Sequence, residues 1–191
     1  MVKDLGWVTL LPSDADVAVV GTLGPEGTSS EQAAGLVRTR LPVDSATTLF
    51  QTYEEAHDAL LVGDASHVVV ANAYKEVHRF YMDDTIELSD VFVMDTPLYG
   101  IAKLRRRHDL PPVLTIASHP SPQPLVAQLL PERYTVGEIV SVDSTSSAAK
   151  AVAEGRFDLG ITTEPAAALH GLEFISRLRP IRMVWSVFVK R

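Results

Sequence analysis

A chain of 191 residues with 46% hydrophobic and 21% charged residues has the composition of an ordinary globular protein, long enough for one domain or two small lobes. The formal net charge of −7 argues against a nucleic-acid-binding protein, because neutralising phosphates requires clustered lysine and arginine. The absence of cysteine excludes disulfides, thiol nucleophiles and thiolate metal sites.

The first half of the chain alternates predicted strands and helices. Glycine and proline mark a turn at residues 24–27, after which a helix is expected to begin at Ser29 or Ser30 and to run towards Arg40. Residues 72–90 show no clear period. The other predicted elements are a strand at Val17–Val20, a helix at Tyr53–Leu61 ending at Gly63, a buried strand at His67–Val70 and a long strand at Val91–Ala102.

The second half continues this alternation, which predicts an α/β protein. Its predicted elements are a strand at Thr115–Ala117, a helix at Leu125–Leu130, a helix at Ser144–Ala153 closed by Gly155, a strand at Leu159–Thr162, a helix at Pro165–His170 ended by Gly171 and a strand at Val184–Lys190. The change of character near residues 72–95 predicts two lobes. We expect the first at about 16–90 plus 180–191 and the second at about 91–179.

Neither a cofactor nor a membrane is expected. The six histidines have no metal-ligand spacing, so no metal site is predicted. The apolar stretch at residues 5–11 is interrupted by glycine and threonine, which is not typical of an export signal. No run approaches the roughly 20 apolar residues of a membrane span. We therefore expect a cytoplasmic protein whose partner is a small molecule.

Three hydroxyl-rich segments, residues 28–32, 118–121 and 144–147, are predicted to begin helices. In the first, Thr28 with Glu31 or Ser29 with Gln32 fits a capping box. A helix N-terminus offers unpaired backbone N–H groups and partial positive charge, which can hold a carboxylate without lysine or arginine. Plain capping is the alternative for each segment. Because all three follow predicted strands, where α/β sheets bind ligands, we expect a small anionic ligand.

Four motifs, in the expected order, resemble the catalytic domain of prephenate dehydratases. They are Gly21–Ala34, Ser118–Pro120, Ser144–Ala149 and Thr163–Glu173. The resemblance implies a two-lobed α/β clamp like the type II periplasmic binding proteins, with the substrate site in the cleft. It implies that the substrate-binding residues are Thr28, Ser29, Ser30, Ser118, Ser121, Ser144, Thr145, Ser146, Thr163 and Glu164. Glu164 can also be a first-turn residue that complements the helix N-terminus.

Departures from the dehydratase pattern indicate a narrower group. Ser186-Val187-Phe188 replaces the dehydratase Thr-Arg-Phe signature, and Ala71–Lys75 replaces Pro-Val-Glu-Asn-Ser. The chain ends where a dehydratase continues into a regulatory ACT domain, so none is expected. The chain thus resembles prephenate decarboxylases of bacilysin-type natural-product pathways. The segments that carry this resemblance are Ala73-Tyr74, Phe80–Met82, Asp95–Gly100, Ser118–Pro122 and Met183–Phe188.

The resemblance implies loss of carbon dioxide from prephenate without aromatisation. The released electrons move into the ring diene and a carbon is protonated, so the ring hydroxyl is retained in the product, a dihydro-4-hydroxyphenylpyruvate. A dehydratase instead expels the hydroxyl as well and forms phenylpyruvate. Since a positioned proton donor contributes about 10²–10⁴-fold in rate, the change to Ser186-Val187 near this chemistry can select the outcome.

The general acid is expected among Tyr74, Tyr99 and His119, and Ser186 is a further catalytic candidate. Histidine has a suitable ordinary pKa, whereas a tyrosine pKa near 10 must be tuned. Each tyrosine can instead be a core residue with a hydrogen-bonded hydroxyl, and His119 can be a turn or cap residue.

Three alternatives compete with the decarboxylase hypothesis: a dehydratase with a degenerate motif, a non-catalytic binding module with the same fold, and an inactive homologue. The resemblance further implies a homodimer and a role in the biosynthesis of an antibiotic or related natural product.

Overall fold

The computed structural model describes residues 6–10 and 18–191, over which eleven strands and six helices alternate. The helices are α1 (Ser29–Arg38), α2 (Tyr53–Val62), α3 (His78–Met82), α4 (Leu125–Leu129), α5 (Thr145–Ala153) and α6 (Glu164–Leu169). The strands are β1 (Trp7–Thr9), β2 (Val19–Leu23), β3 (Ala46–Phe50), β4 (His67–Ala71), β5 (Ile86–Asp95), β6 (Tyr99–Leu104), β7 (Val113–Ser118), β8 (Thr135–Ser141), β9 (Leu159–Thr163), β10 (Leu172–Phe174) and β11 (Arg182–Lys190).

The chain divides into two lobes, each with its own internal packing. The first lobe contains the described residues up to Pro25, then Ser29–Thr96 and Arg182–Arg191. The second lobe contains Glu26–Thr28 and Pro97–Ile181. The lobe boundary expected near residue 90 falls inside β5, and the whole of β5 belongs to the first lobe.

The first lobe is built on a six-stranded sheet in the order β1-β5-β11-β4-β2-β3. β2 runs parallel to β3 and β4, and β11 runs antiparallel to β4 and β5. β4 is buried at every position, as is typical of a strand covered on both faces. α2 begins after Thr52, whose hydroxyl accepts the Glu55 N–H at 3.0 Å, and ends at Gly63 in the left-handed conformation.

The core of the first lobe is centred on β11 and β5. Trp185, Phe92 and Phe188 are at most 1% exposed, and the valines of β4 pack with them. Burying one such phenylalanine contributes about 1.5–3 kcal/mol. These aromatic side chains therefore hold the late strand β11 in the middle of a sheet whose other strands precede residue 96.

The second lobe has a five-stranded sheet in the order β10-β6-β9-β7-β8. β7 is parallel to β8 and β9, whereas β6 is antiparallel to β9 and β10. α5 packs closely on β9, since a Cβ on Gly160 would lie 3.0 Å from Val152 Cγ2 and 3.3 Å from Ala148 O. The absence of a side chain at Gly160 thus allows α5 to pack directly on β9.

The chain leaves the first lobe and returns to it at neighbouring points. Asp95, at the end of β5, is the register partner of Arg182, at the start of β11. The Arg182 guanidinium donates to Asp95 through Nε at 2.9 Å and through Nη2 at 3.2 Å. Within the second lobe, Tyr99 N donates to Arg179 O at 2.8 Å and Arg179 N donates to Tyr99 O at 3.0 Å. The two ends of the segment that is inserted between β5 and β11, Pro97–Ile181, are therefore held close to each other.

The predicted long strand at Val91–Ala102 was wrong. β5 ends at Asp95 and β6 begins at Tyr99, and the two strands belong to different sheets. Pro97, which has no N–H to donate to a ladder, lies between them. The prediction joined two apolar segments across the interruption at Asp95-Thr96-Pro97 and so missed the point where the chain passes from one lobe to the other.

Most predicted helices and strands were confirmed, with shifted ends. The strand expected at Val17–Val20 is β2 and continues to Leu23, while Val17 lies outside the described residues, as do residues 1–5 and 11–17 of the N-terminal stretch. α3, β1, β3, β8 and β10 were not predicted. In the described part of the chain, no helix has the length and apolar character needed to cross a membrane.

Candidate active site

The carboxyl ends of the parallel strands of the first lobe meet at one edge of its sheet, which we call the first-lobe edge. β4 leads there to Asn72, and Ser29 begins α1 after β2. The Tyr53 hydroxyl, at the start of α2, lies 3.0 Å from Ser30 Oγ and accepts a hydrogen bond from Ala71 N at 3.3 Å. The predicted binding residues Ser29 and Ser30 therefore lie where α/β sheets commonly bind ligands.

Tyr74, a candidate general acid at this edge, donates a hydrogen bond from its hydroxyl to a carboxylate. Its hydroxyl donates to Glu54 Oε1 at 2.6 Å, and its ring packs on Tyr53 with centroids 4.8 Å apart. Burial and the hydrogen bond to Glu54 raise the pKa of Tyr74 well above its ordinary value. The same hydrogen bond lowers the pKa of Glu54. The pair therefore keeps the proton on the tyrosine.

Three polar side chains at the first-lobe edge form a closed hydrogen-bonded ring, which we call the polar ring. Ser186 Oγ donates to Asn72 Oδ1 at 2.8 Å, and Asn72 Nδ2 donates to the Tyr81 hydroxyl oxygen, Oη, at 3.2 Å. Because the Ser186 proton is already used, the 2.6 Å contact between Tyr81 and Ser186 has Tyr81 as the donor. If the Asn72 amide is flipped, so that Oδ1 and Nδ2 exchange places, the direction of all three hydrogen bonds reverses and the ring stays closed.

Ser186 of the polar ring and its neighbours Val187 and Phe188 are the residues predicted to replace the dehydratase Thr-Arg-Phe signature. Ser186 and Val187 have no exposed surface, and Val187 belongs to the core of the first lobe. Phe188 packs edge-on against Tyr81, with ring centroids 5.2 Å apart. Val187, predicted to stand at the position of the dehydratase arginine, is therefore part of an apolar core, and within the ring only Asn72 and Tyr81 have an exposed surface.

The carboxyl ends of β7, β8 and β9 form a corresponding second-lobe edge. These three strands are parallel, and Ser118 at the end of β7 is in register with Ser141 at the end of β8. Thr163 ends β9. Seven further predicted binding residues lie at the ends of these strands or in the segments that follow them, so sequence order and sheet topology together place them at one edge. These residues are Ser118, Ser121, Ser144, Thr145, Ser146, Thr163 and Glu164.

The predicted helix start at residues 118–121 was wrong. Ser118 is the last residue of β7, and α4 begins only at Leu125, with no side-chain cap. Turn hydrogen bonds from Gln123 N to Pro120 O and from Leu125 N to Pro122 O fill the interval. Three alternating prolines at residues 120, 122 and 124 prevent a helix there, because each disfavours the helical conformation of the residue before it.

His119 is half-buried in this turn with a defined tautomer. Ser121 N donates to His119 Nδ1 at 3.3 Å, so the neutral ring carries its proton on Nε2. Burial lowers the pKa of His119, and the negative charge of Asp143 partly offsets that effect. Ser118 Oγ donates to the His119 carbonyl at 2.8 Å, which anchors the turn to the end of β7.

The start of α5 was predicted correctly. Ser144 is the N-cap, and its hydroxyl accepts the Ser147 N–H at 2.9 Å. Thr162 on β9 donates its hydroxyl to Thr145 O at 2.9 Å and so ties the first turn of the helix to the sheet. The first turn of α5 contains no acidic residue, so its partial positive charge is not neutralised from within the helix.

The start of α6 holds the loop Glu26–Thr28, which we call the Gly27 loop. Thr163 Oγ1 donates to Gly27 O at 2.6 Å and accepts the Ala166 N–H at 3.4 Å. A Cβ on Gly27 would lie 3.0 Å from Ala166 Cα. Thr28 is thereby brought to the second-lobe edge. Glu164 is an exposed first-turn residue of α6.

Tyr99, the remaining candidate acid, belongs to the core of the second lobe. Its side chain is 7% exposed and packs in the cluster that contains Ile101, Leu114 and Ile161. This position agrees with the alternative expectation from the sequence, in which Tyr99 is a core residue and not the general acid.

Sequence reasoning did not single out Asn72 and Tyr81. Tyr81 lies within Phe80–Met82, which was noted only as a group resemblance, and Asn72 lies in the stretch without a clear period. Among residues 6–10 and 18–191, histidine, aspartate and glutamate form no group of three suited to a metal ion.

Residues 20–178 match the sequence profile of prephenate dehydratases. The chain belongs to the prephenate dehydratase family. A prephenate decarboxylase of Planktothrix agardhii (strain NIVA-CYA 126/8) is 38% identical over 183 residues, covering 93% of this chain and 91% of that protein. A prephenate decarboxylase of Bacillus amyloliquefaciens is 35% identical over 185 residues, covering 93% of this chain and 89% of that protein. The predicted family is therefore confirmed.

Solved structures confirm the predicted fold class of this prephenate dehydratase family member. A prephenate dehydratase of Arthrobacter aurescens, solved with L-Phe, superposes with a TM-score of 0.71 at 14% identity, covering 91% of this chain. The chain spans 60% of the length of that dehydratase. The periplasmic VFT2 domain of Bordetella pertussis BvgS superposes with a TM-score of 0.52 at 19% identity, covering 93% of this chain and 82% of the domain.

Proposed function

We propose that the chain is a prephenate decarboxylase that releases carbon dioxide and leaves the ring non-aromatic. The observation that carries this proposal is the 38% and 35% identity to two prephenate decarboxylases, each over 93% of the chain. The burial of Val187 where dehydratases have arginine supports it, because no cation occupies that position to assist departure of the hydroxyl.

The proposed reaction breaks one carbon–carbon bond. The ring carboxylate leaves as carbon dioxide, and its bonding electrons move into the ring diene. A proton then adds to a ring carbon, and the product is a dihydro-4-hydroxyphenylpyruvate. The competing dehydratase reaction breaks the carbon–oxygen bond as well, and the departing hydroxide takes the proton and leaves as water.

Prephenate carries two carboxylates, and the helix N-termini supply groups suited to them. α1 and α5 contain ten and nine residues, and each begins with consecutive hydroxyl residues at the carboxyl edge of its sheet. The role of Thr28, Ser29 and Ser30, and of the seven second-lobe residues named above, in binding prephenate stays a proposal.

We assign His119 as the proton source. Tyr74 is a weaker candidate because its proton is committed to Glu54, and Tyr99 is a weaker one because its side chain packs in the core of the second lobe. His119 is half-buried and lies in a fixed turn at the second-lobe edge. A lowered pKa makes its imidazolium a stronger acid than ordinary histidine.

Three finer expectations belong to the same proposal: a cytoplasmic location, a homodimer and a role in natural-product biosynthesis. They are supported by the sequence resemblance to bacilysin-type decarboxylases.

The decisive experiment is product analysis of purified protein incubated with prephenate. Mass spectrometry is expected to show loss of carbon dioxide alone, and the ultraviolet spectrum is expected to lack the aromatic ketoacid. A reaction without enzyme corrects for spontaneous aromatisation.

Two other results of that experiment contradict the proposal. Formation of phenylpyruvate above the spontaneous background would identify a dehydratase. Prephenate that stays unchanged while it still binds, as measured by calorimetry, would identify a binding module.

A further inference from the structure

We propose that the polar ring of Asn72, Tyr81 and Ser186 is the specificity determinant that lets prephenate keep its ring hydroxyl. The inference rests on the proposed decarboxylase function and extends it to Asn72 and Tyr81, two residues that the sequence did not single out, beside the catalytic candidate Ser186. Each of the three side chains gives one proton to the ring and accepts one, so neither hydroxyl has a proton left for a ligand.

The exposure of each side chain determines which polar groups of the ring are accessible to a ligand. Ser186 has no exposed surface, whereas Tyr81 is 40% exposed and Asn72 is exposed. The ring therefore offers a ligand the second amide N–H of Asn72 and a lone pair of the Tyr81 oxygen. An amide N–H is far too weak an acid to protonate a leaving hydroxyl, but it can hold that hydroxyl in place.

The position of the ring connects it with the choice between the two reactions. Ser186 stands where the dehydratase signature has threonine, and Asn72 directly follows β4 at the first-lobe edge. A hydroxyl at that site with a free proton would assist departure of the substrate hydroxyl. In this chain the Ser186 proton is taken by Asn72 and the Tyr81 proton by Ser186, so that assistance is withheld.

Replacing Asn72 tests this idea because it releases one proton. In Asn72→Ala the Ser186 hydroxyl can turn to the Tyr81 oxygen, which frees the Tyr81 proton for a ligand. Since a positioned donor is worth about 10²–10⁴-fold, we expect the phenylpyruvate share of the products to rise about tenfold or more. Products are quantified by liquid chromatography, with the spontaneous background subtracted.

A double variant separates proton release from general damage. Asn72→Ala with Tyr81→Phe removes the freed proton, so the phenylpyruvate share is expected to return to the wild-type value. In Asn72→Asp the two carboxylate oxygens accept both protons, and the wild-type product ratio is expected even at a lower rate. Met82→Ala, at a 78% exposed position on the same helix, is the matched control outside the ring.

Two results would overturn the inference: an unchanged product ratio in Asn72→Ala, or a raised phenylpyruvate share that persists in the double variant. If Asn72→Ala does not fold by circular dichroism, the near-isosteric Asn72→Leu carries the same expectation. Failure of the proposed decarboxylase function would be distinguished from these results, because the wild-type protein itself would then not decarboxylate prephenate.

Discussion

His119 combines a half-buried ring, a fixed tautomer and a lowered pKa in a turn rich in proline. The hydrogen bond from Ser121 N to Nδ1 leaves the neutral ring with its proton on Nε2. Adding a second proton converts Nδ1 into a donor and opposes the Ser121 N–H, so the turn must adjust when the imidazolium forms. Under the proposal that His119 delivers the proton, we therefore expect this delivery to be coupled to a local movement of the turn.

The pH dependence of turnover follows from the direction of the His119 pKa shift. As the proposed proton source, His119 must be in its acid form; its pKa lies below the ordinary value of about 6.5, so the fraction of the acid form falls as pH rises above that pKa. We expect kcat to increase as pH is lowered from about 8 to about 6 and to fall about 10²–10⁴-fold in His119→Gln. Carbon dioxide release measured across this range checks both expectations.

The Tyr74 alternative predicts a different profile. Because its pKa is raised, Tyr74 stays protonated throughout the neutral range, and kcat would be independent of pH. A flat profile together with full activity of His119→Gln would contradict the assignment of His119. His108→Gln, which removes an exposed histidine in the same lobe, serves as the control.

Local sequence patterns predicted the caps but not the protonation states. The hydroxyl of Ser144 and the glycine after α2 act within a few residues of their own position, so spacing was enough to identify them. The pairing of Tyr74 with Glu54 and of Ser186 with Tyr81 spans 20 and 105 residues. Such partners depend on tertiary packing, which one sequence does not reveal.

At the scale of elements, the Gly27 loop and α6 form one close-packed unit. Gly27 has φ of +81°, and its missing side chain leaves room for the Ala166 backbone. The residue is therefore needed for two reasons, namely backbone conformation and close approach.

Comparing two glycines separates these reasons. Gly63 also has positive φ, at +90°, but an added Cβ there meets no atom within 4 Å. Gly63→Ala should cost about 1–2 kcal/mol for the left-handed conformation alone. Gly27→Ala should cost about 1–3 kcal/mol more, because of the overlap with Ala166. Urea unfolding measures both free energies of unfolding, and equal losses would show that the loop does not depend on this contact.

Helices with local start and stop residues could be predicted from the sequence. Strands that are defined by pairing with a neighbouring strand could not. The helix over residues 53–62 is bounded by Thr52 and Gly63, each with its own local effect. β8 is an edge strand with mostly exposed residues, so it has little hydrophobic pattern to detect. The division between β5 and β6 is set by pairing with two different sheets, information that the apolar stretch itself lacks.

At the scale of the whole molecule, the two lobes have separate apolar cores. Both tryptophans of the chain, Trp7 and Trp185, belong to the first lobe, so tryptophan fluorescence reports on that lobe. Ile161 is completely buried in the second lobe, and Val69 is completely buried in the first.

These positions allow the stability of each lobe to be changed separately. Ile161→Ala should destabilise the second lobe by about 2–5 kcal/mol and lower the midpoint seen by far-ultraviolet circular dichroism, while the fluorescence midpoint stays in place. Val69→Ala is the matched core truncation in the first lobe and should move the fluorescence midpoint. Equal shifts of both probes in Ile161→Ala would mean that the lobes unfold as one unit.

The fold class could be predicted because strand–helix alternation and several ordered motifs cover most of the chain. The strand order could not, because β11 enters the first sheet between β5 and β4 from a distant part of the sequence. No local pattern around Arg182 indicates that its register partner is Asp95.

The paired ends of the inserted segment have a consequence for how the protein folds. As a disordered chain, Pro97–Ile181 would be a long loop whose closure opposes the pairing of β5 with β11, and the entropy lost grows with loop length. Once that segment has folded, the Tyr99–Arg179 bridge holds its two ends together, so the loop left to close is only a few residues long. We therefore expect folding of the second lobe to accelerate the pairing of β5 with β11 in the first.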